Sequence, residues 1–224
     1  MKVSHRFVII TAVFITCLIT ANIISVKMIS LGPFIVFAGV FSFPLSYIVG
    51  DVLTEVYGYR IARRVIWLGF LCNLIFVIFA WVGQVLPSPP SWELQGAYES
   101  ILGYAPRLLV ASFCGYLVGE FANSLVLAKM KILTRGRWLW TRTIGSTLVG
   151  EGLDTVVFAT IALIGTPFFM PVVMLSQWLI KVLVEAVATP ATYAVVNYLK
   201  KKETIDTYDY KTNFNPFLIL DKKG

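Results

Sequence analysis

Six apolar stretches, each about 20 residues or longer, take up most of this 224-residue chain and leave it few ways to fold. They run from Phe7 to Val26, Phe34 to Val56, Val65 to Leu86, Leu108 to Ala128, Ile144 to Ile164 and Val172 to Tyr198. About 20 apolar residues in a helix cross a hydrocarbon core, where each segment must satisfy its own backbone polar groups. The pattern predicts an all-α polytopic membrane protein with six transmembrane helices: one domain over residues 1–202 and a polar, loosely ordered tail over 203–224. A water-soluble reading fails, because only 14% of the residues are charged where soluble domains carry about a quarter. The first stretch is too long for the apolar core of a cleavable leader and reads as a span. Pro44 and Pro190 lie inside the second and sixth stretches and predict kinks there. Cys17, Cys72 and Cys114 sit in apolar segments without metal-site spacing and read as small hydrophobes, so neither metal nor cofactor is expected.

Orientation follows from the 19 lysines and arginines. Lys2 and Arg6 precede the first span, and Arg60, Arg63 and Arg64 separate the second from the third. Lys129, Lys131, Arg135, Arg137 and Arg142 lie between the fourth and fifth. Lys200, Lys201, Lys202, Lys211, Lys222 and Lys223 belong to the tail. Lys27 and Arg107 flank the opposite side. The positive-inside rule then places both termini in the cytoplasm. The net charge of +7 is explained by topology and anionic headgroups, and no coherent basic face points to nucleic acid. The outer connection opens with Pro87, Pro89 and Pro90. Beyond them Trp92, Tyr98, Ile101 and Leu102 recur at helical spacing, which predicts a short helix on the membrane surface, an interfacial anchor or a lid.

Acidic residues inside these apolar stretches carry the functional signal. Asp51, Glu55, Glu120, Glu151, Asp154 and Glu185 are accompanied by one lysine, Lys181. A charge near the bilayer centre costs about 3 kcal/mol on insertion scales, so such groups face a polar interior. Glu120 with Asn123, Glu151 with Asp154, and Lys181 with Glu185 are three or four residues apart, so each pair projects from one helix face near mid-depth. Three helices can thus bring carboxylates and a lysine to a shared interior, either as a carrier's binding site or as a closed ion-pair cluster. Asp51 and Glu55 share a face toward the cytoplasmic end of the second span, with Arg60, Arg63 and Arg64 nearby. They read as an inner gate or proton-coupling pair, or as a structural network at the inner surface. Gly115 and Gly119 form a GxxxG on the fourth span, and Gly145, Ser146, Gly150 and Gly152 line the fifth. For the GxxxG, close packing within the bundle and a homodimer interface are both open, and the glycines around Glu151 either pack closely or let a ligand approach the backbone.

Several short stretches carry a family resemblance. They are Ala21-Asn22 with Lys27, Phe43-Pro44-Leu45, Asp51 through Glu55 to Gly58, and Ala62-Arg63-Arg64. Gly119-Glu120 with Asn123-Ser124, Leu127-Ala128-Lys129 and Gly136 through Arg142 follow. Ser146-Thr147, Gly150-Glu151 with Asp154-Thr155, and Lys181 through Glu185 to Thr189-Pro190 complete the set. Together they span about residues 21 to 200, and in this order they resemble the queuosine precursor transporter family, also called the vitamin uptake transporter family. The resemblance implies a six-helix bacterial or archaeal protein of the inner or plasma membrane. It further implies import of 7-deazaguanine precursors of queuosine, such as 7-cyano- or 7-aminomethyl-7-deazaguanine. The family is similar in architecture to the substrate-binding subunits of energy-coupling-factor importers. Those subunits meet their transport partner through alanines four apart on the first helix, a spacing that Ala12 and Ala21 do not supply. A stand-alone carrier without a dedicated ATPase partner is the expectation; an importer subunit for another vitamin-like solute is the alternative.

The residues suit such a solute on chemical grounds as well. A guanine-like edge presents a ring N–H beside an exocyclic amine, two donors that one carboxylate accepts together. Asp154 or Glu151 is the candidate acceptor, with Glu120 next. Lys181, Asn22 or Asn123 can donate to the 6-oxo group, and Phe43, Tyr47, Phe158 and Trp178 offer stacking surfaces. Glu185, four residues after Lys181, can alternate with it in linking binding to conformation. Proton coupling and facilitated diffusion both remain open. Two other classes fit less well. The one histidine, His5, lies at the edge of the first span, which leaves no His-based catalytic set within the bundle, and Asp51 and Asp154 differ in depth. A cation channel could use carboxylate rings, but would not saturate with a heterocyclic solute.

Overall fold

Leucine-, isoleucine- and phenylalanine-rich segments without interior breakers become long helices, and the polar interruptions decide where these begin and end. A computed structural model describes residues 4–32, 34–103, 106–165 and 169–218; Lys2, Lys222 and Lys223 of the charge pattern lie outside them. Among these residues the helices are α1 (His5–Ile24), α2 (Phe43–Tyr57), α3 (Tyr59–Val85), α4 (Gln95–Leu102), α5 (Pro106–Leu133), α6 (Leu139–Leu163) and α7 (Pro171–Glu203). Five of them, α1, α3, α5, α6 and α7, are long and apolar enough to cross a membrane. Their outward faces carry exposed Val, Ile, Leu and Phe, as expected of helices solvated by lipid rather than water. Ser4 caps α1 by accepting from Phe7 N at 3.1 Å, and its hydroxyl donates to Glu203 at 2.7 Å. The start of α1 and the end of α7 therefore lie at the same end of the bundle.

The second predicted span differs from a single helix. Its first residues form β2 (Phe34–Phe37), paired antiparallel with β1 (Met28–Leu31) from the preceding connection and followed by a 3₁₀ turn over Ala38–Phe41. Only then does α2 begin; the protein is mostly helical, consistent with the all-α expectation, and carries one two-stranded hairpin besides. Pro44 falls in the first turn of α2, where its missing N–H has no intrahelical acceptor, so it starts the helix instead of kinking it. At 15 residues α2 is about 22 Å long, shorter than a hydrocarbon core. It is also the most buried helix: Ser46, Tyr47 and every residue from Gly50 to Tyr57 are shielded, with α1, α3, α5 and α7 around it. A short helix carrying two carboxylates has its place inside the bundle, away from lipid. The sixth stretch keeps its helix through Pro190, which leaves the Ala186 carbonyl without its usual helical donor.

The glycines on α5 pack within the chain. A Cβ on Gly119 would stand 2.8 Å from that of Asp154 and 3.0 Å from the carbonyl of Gly150. On Gly150 it would meet Asn123 and the Gly119 carbonyl at 2.6 and 2.9 Å. The two backbones approach this closely because neither carries a side chain at the crossing. Of the two readings left open by the GxxxG, the α5–α6 contact uses this face.

Residues 204–218 of the tail are folded, contrary to the loose order expected of it, and run across the end of the bundle that holds the start of α1 and the end of α7. Thr207 N donates to the Val56 carbonyl at 3.3 Å, and buried Asp209 accepts from Tyr59 N at 2.9 Å, capping α3. Gly58, at φ +82°, makes the turn between α2 and α3; a Cβ there would come within 2.7 Å of the Thr207 methyl. Arg63 donates to the carbonyls of Asn213 and Asn215 at 2.9 and 2.6 Å, and the Trp67 indole N–H to that of Pro216 at 2.8 Å. A short polar tail looks unstructured in sequence because its partners are distant arginines and helix ends.

Asp206 anchors this strap to Lys131 at 2.6 Å and to Lys200 at 2.9 Å. Burial pushes its carboxyl upward, but the two lysines outweigh that and hold it below its ordinary value. A depressed folded-state pKa stabilises docking above the ordinary carboxylate pKa of about 3.9 and loses that contribution as pH falls below it. Once the intrinsic pH dependence of exchange is divided out, the amide protection factors of residues 204–218 are expected to stay flat near neutrality and to fall below about pH 4. The acid-induced step is expected to disappear in Asp206→Asn.

Candidate functional site

At the end of the bundle opposite the strap, a cavity of about 220 Å³ opens between α1, the hairpin, α2, α4, α5, α6 and α7. This is smaller than the roughly 300–1,000 Å³ typical of drug-sized ligands and suits a smaller molecule. Asn22 and Ser25 reach it from α1, Phe43 from α2, Ser112 from α5, Asp154 and Phe158 from α6, and Gln177 and Lys181 from α7. Ser100, Ile101 and Gly103, on and just after α4, close part of its rim. The predicted short outer helix thus exists, and its end borders the cavity. It is clasped to the end of α3 by Tyr98, donating to the Ala80 carbonyl at 3.0 Å, and by Gln95, donating to that of Gln84 at 3.1 Å.

Lys181 lies at the floor of the cavity. Its ammonium donates to Glu151 at 2.6 Å and to Asp154 at 2.8 Å, and stands 5.2 Å from the centre of the Phe43 ring. Facing faces of α6 and α7 create this group, as the spacing predicts, but the lysine joins the α6 carboxylates. Glu185, its neighbour along α7, makes no hydrogen bond with either oxygen. The two α6 acids also part company. Asp154 lines the cavity with its side chain 15% exposed, whereas Glu151 is fully shielded behind it. Asn22 accepts from Ser112 at 2.8 Å while its amide donates to the Leu18 carbonyl at 3.2 Å. The rings of Phe43 and Phe158 line the walls, and Phe37 meets Phe158 edge-on at 6.0 Å.

Other predicted residues fall elsewhere. Tyr47, Glu120, Asn123 and Glu185 lie buried below the cavity, outside its lining. Trp178 packs on the α6–α7 seam, its indole N–H donating to the Leu148 carbonyl at 3.1 Å. Asp51 is deep in the bundle and accepts from Asn123 at 2.6 Å. Missed by the sequence reading were Ser25, Phe37, Ser112, Thr155, Met174 and Gln177, which share the lining. Met174 and Gln177 precede Lys181 by seven and four residues, so helical spacing from the lysine was the signal that could have found them.

Glu55 seals the opposite end. It takes Arg142 at 2.9 Å, Lys200 at 2.6 Å and Lys131 at 3.5 Å. Lys131 also donates to the Glu55 carbonyl at 2.6 Å and to Thr207 O at 2.7 Å, while Arg142 meets the Arg137 carbonyl and Thr134. One carboxylate thereby joins α2, α5, α6, α7 and the tail. Its cations come from the later helices, whereas Arg63, from the cluster expected nearby, holds the tail.

Comparison with known proteins agrees with this architecture. A family model described as "Putative vitamin uptake transporter" matches residues 37–195. A "Probable queuosine precursor transporter" of Bacillus subtilis strain 168 is 30% identical over 192 residues, covering 83% of this chain and 82% of the relative. The "Queuosine precursor transporter" of Escherichia coli strain K12 is 29% identical over 170 residues, covering 73% of this chain and 74% of the relative. No solved structure matches the chain. Apolar helices around a cavity that holds the Lys181–Asp154 pair, a family match over residues 37–195 and a relative 30% identical over 82% of its length agree: the chain belongs to the vitamin uptake transporter family.

Proposed function

We propose that the protein imports 7-deazaguanine precursors of queuosine, such as the 7-cyano or 7-aminomethyl base, through the cavity above Lys181. The Lys181–Asp154 pair between the Phe43 and Phe158 rings is the observation that carries this reading. Along the edge of a guanine-like ring run an oxo acceptor, a ring N–H and an exocyclic amine. An ammonium beside a carboxylate presents the complementary order. Asp154 accepts from the ring N–H and the amine, and Lys181, which has a third N–H beyond those given to Glu151 and Asp154, donates to the oxo group. Phe43 and Phe158 supply apolar walls for the flat ring. The names of the Bacillus and Escherichia relatives support the substrate class.

The protein works as a multi-pass carrier in a bacterial or archaeal plasma membrane, with both termini cytoplasmic. Six crossings suit this arrangement, the second made by the hairpin, the 3₁₀ turn and α2 together. The strapped end, rich in lysine and arginine, is the cytoplasmic one and is held shut at Glu55, while the cavity faces outward. Ala12 and Ala21 lack the spacing that would dock a dedicated ATPase complex, and no chemistry beyond transport is required. The test is uptake of labelled 7-cyano-7-deazaguanine by cells unable to make it, comparing the native chain with Asp154→Asn. Saturable uptake that falls at least about tenfold in the variant at equal membrane abundance, the worth of one charge-assisted hydrogen bond or more, supports the reading. No uptake by the native chain overturns the substrate class, and unchanged uptake in the variant overturns the role of Asp154.

A further inference from the structure

Between the cavity floor and the Glu55 seal lies a layer of carboxyl groups that substrate binding does not use. Asp51 on α2, Glu120 on α5 and Glu185 on α7 are fully buried there. One oxygen of Asp51 accepts from Asn123; its other oxygen, both of Glu120 and both of Glu185 have no hydrogen-bond partner. A second kind of group points into the same layer. The Tyr47 hydroxyl, on a residue 2% exposed, is also without a partner and feels Glu151, Asp154 and Glu120 electrostatically. The titratable groups facing this layer are Tyr47, Asp51 and Glu55 from α2, Tyr116 and Glu120 from α5, Glu151 and Asp154 from α6, and Lys181 and Glu185 from α7. Lys181 is the one cation in that set, and Glu151 and Asp154 already hold it. Glu55 is occupied by the cations of the seal. An ionised carboxylate left in a low-dielectric interior without cation or donor costs several kcal/mol, and a proton removes that cost.

We propose that Glu185 is a proton-binding site and that import is proton-coupled, with Lys181 as the counter-charge shared between substrate site and proton site; this rests on the base-transport reading above. While Lys181 is held by Glu151 and Asp154, Glu185 keeps its proton. When the two N–H donors of a base occupy Asp154, Lys181 keeps Glu151 and the base's oxo group and turns the N–H freed from Asp154 toward Glu185, one turn away on the same face of α7. The O–H bond of Glu185 then breaks, its proton passes to water on the cytoplasmic side once the seal opens, and the lysine balances the carboxylate left behind. Return of that N–H to Asp154 after the base departs leaves Glu185 to be reprotonated from the cavity side. Pro190 removes the helical bond to the Ala186 carbonyl beside Glu185, which gives this turn of α7 freedom to bend. Glu120 and Asp51 extend the same protonated layer across to α5 and α2.

The test has two arms, both on the full chain in lipid. The first needs no substrate: infrared difference spectra at neutral pH, in H2O and D2O, are expected to show a protonated-carboxyl band that is lost in Glu185→Gln. The second uses proteoliposomes with the membrane potential clamped at zero and labelled 7-cyano-7-deazaguanine. With the outside one pH unit more acidic, the native chain is expected to accumulate the base about tenfold, the limit for one proton per base, and a protonophore abolishes this. In Glu185→Gln accumulation is expected to fall to equilibration, and Glu185→Asp restores part of it, which separates a proton role from loss of fold. A Glu185→Gln spectrum identical to native, or native accumulation indifferent to the pH gradient, overturns the proposal. Absence of any exchange by the native chain overturns the base reading, while the infrared arm still decides whether Glu185 binds a proton.

Discussion

Lys181→Met is expected to abolish saturable uptake. The substitution leaves Glu151 and Asp154 facing each other inside the bundle without their cation. Removing one partner of a buried ion pair costs about 3–5 kcal/mol, and each 1.4 kcal/mol is a factor of ten, so a loss of at least about 100-fold in uptake rate follows. The measurement is the initial rate of labelled base entry at matched membrane abundance. Part of the loss reflects stability, and the triple change Lys181→Met with Glu151→Gln and Asp154→Asn separates the two. Without charges to leave unpaired, the triple variant is expected to return to native abundance yet remain unable to transport. Normal uptake by Lys181→Met would remove the lysine from the substrate site altogether.

Glu55→Gln is expected to have the largest effect on stability. The side chains of Arg142 and Lys131 are 1% and 2% exposed, so neither can turn to water when the shared carboxylate is neutralised. A buried cation stripped of its partner costs about 3–5 kcal/mol, which at this chain length lowers Tm by about 10 °C. Thermal unfolding of the purified protein measures this directly. Amide exchange in residues 204–218 is expected to rise as well, because Lys131 and Lys200 hold both Glu55 and Asp206. An unchanged melting curve would mean that the strapped end is held by the apolar packing of α2 alone.

The long helices were legible because each repeats one apolar message for 20 residues or more. Partners across the bundle were legible only where a helix face carried two polar groups. Thus Glu151, Asp154 and Lys181 could be grouped from spacing, and the structure brings them together. Spacing along one helix does not say which neighbour it will face, so Glu185 read as the partner of Lys181 although the lysine turns to α6. The hairpin before α2 was hidden because Met28–Leu31 and Phe34–Phe37 are as apolar as any span, and a short apolar run looks the same as strand or helix. Asp206 and Asp209 in the tail gave little local sign of their roles, since Lys131 and the start of α3, which they bind, lie 75 and 150 residues away. Tyr47 and Trp178 read as stacking surfaces from depth alone, which says nothing about the side of the helix on which an aromatic ring emerges.

The glycine crossing of α5 and α6 has a mechanical meaning. With backbone against backbone at Gly119 and Gly150, there is no side-chain layer to shear, and the two helices travel as one stiff slab. Asp154 rides on that slab, while Lys181 rides on α7. On the carrier reading proposed above, the 2.8 Å contact between them is a latch across the α6–α7 seam, and a solute that displaces it frees α7 from the slab.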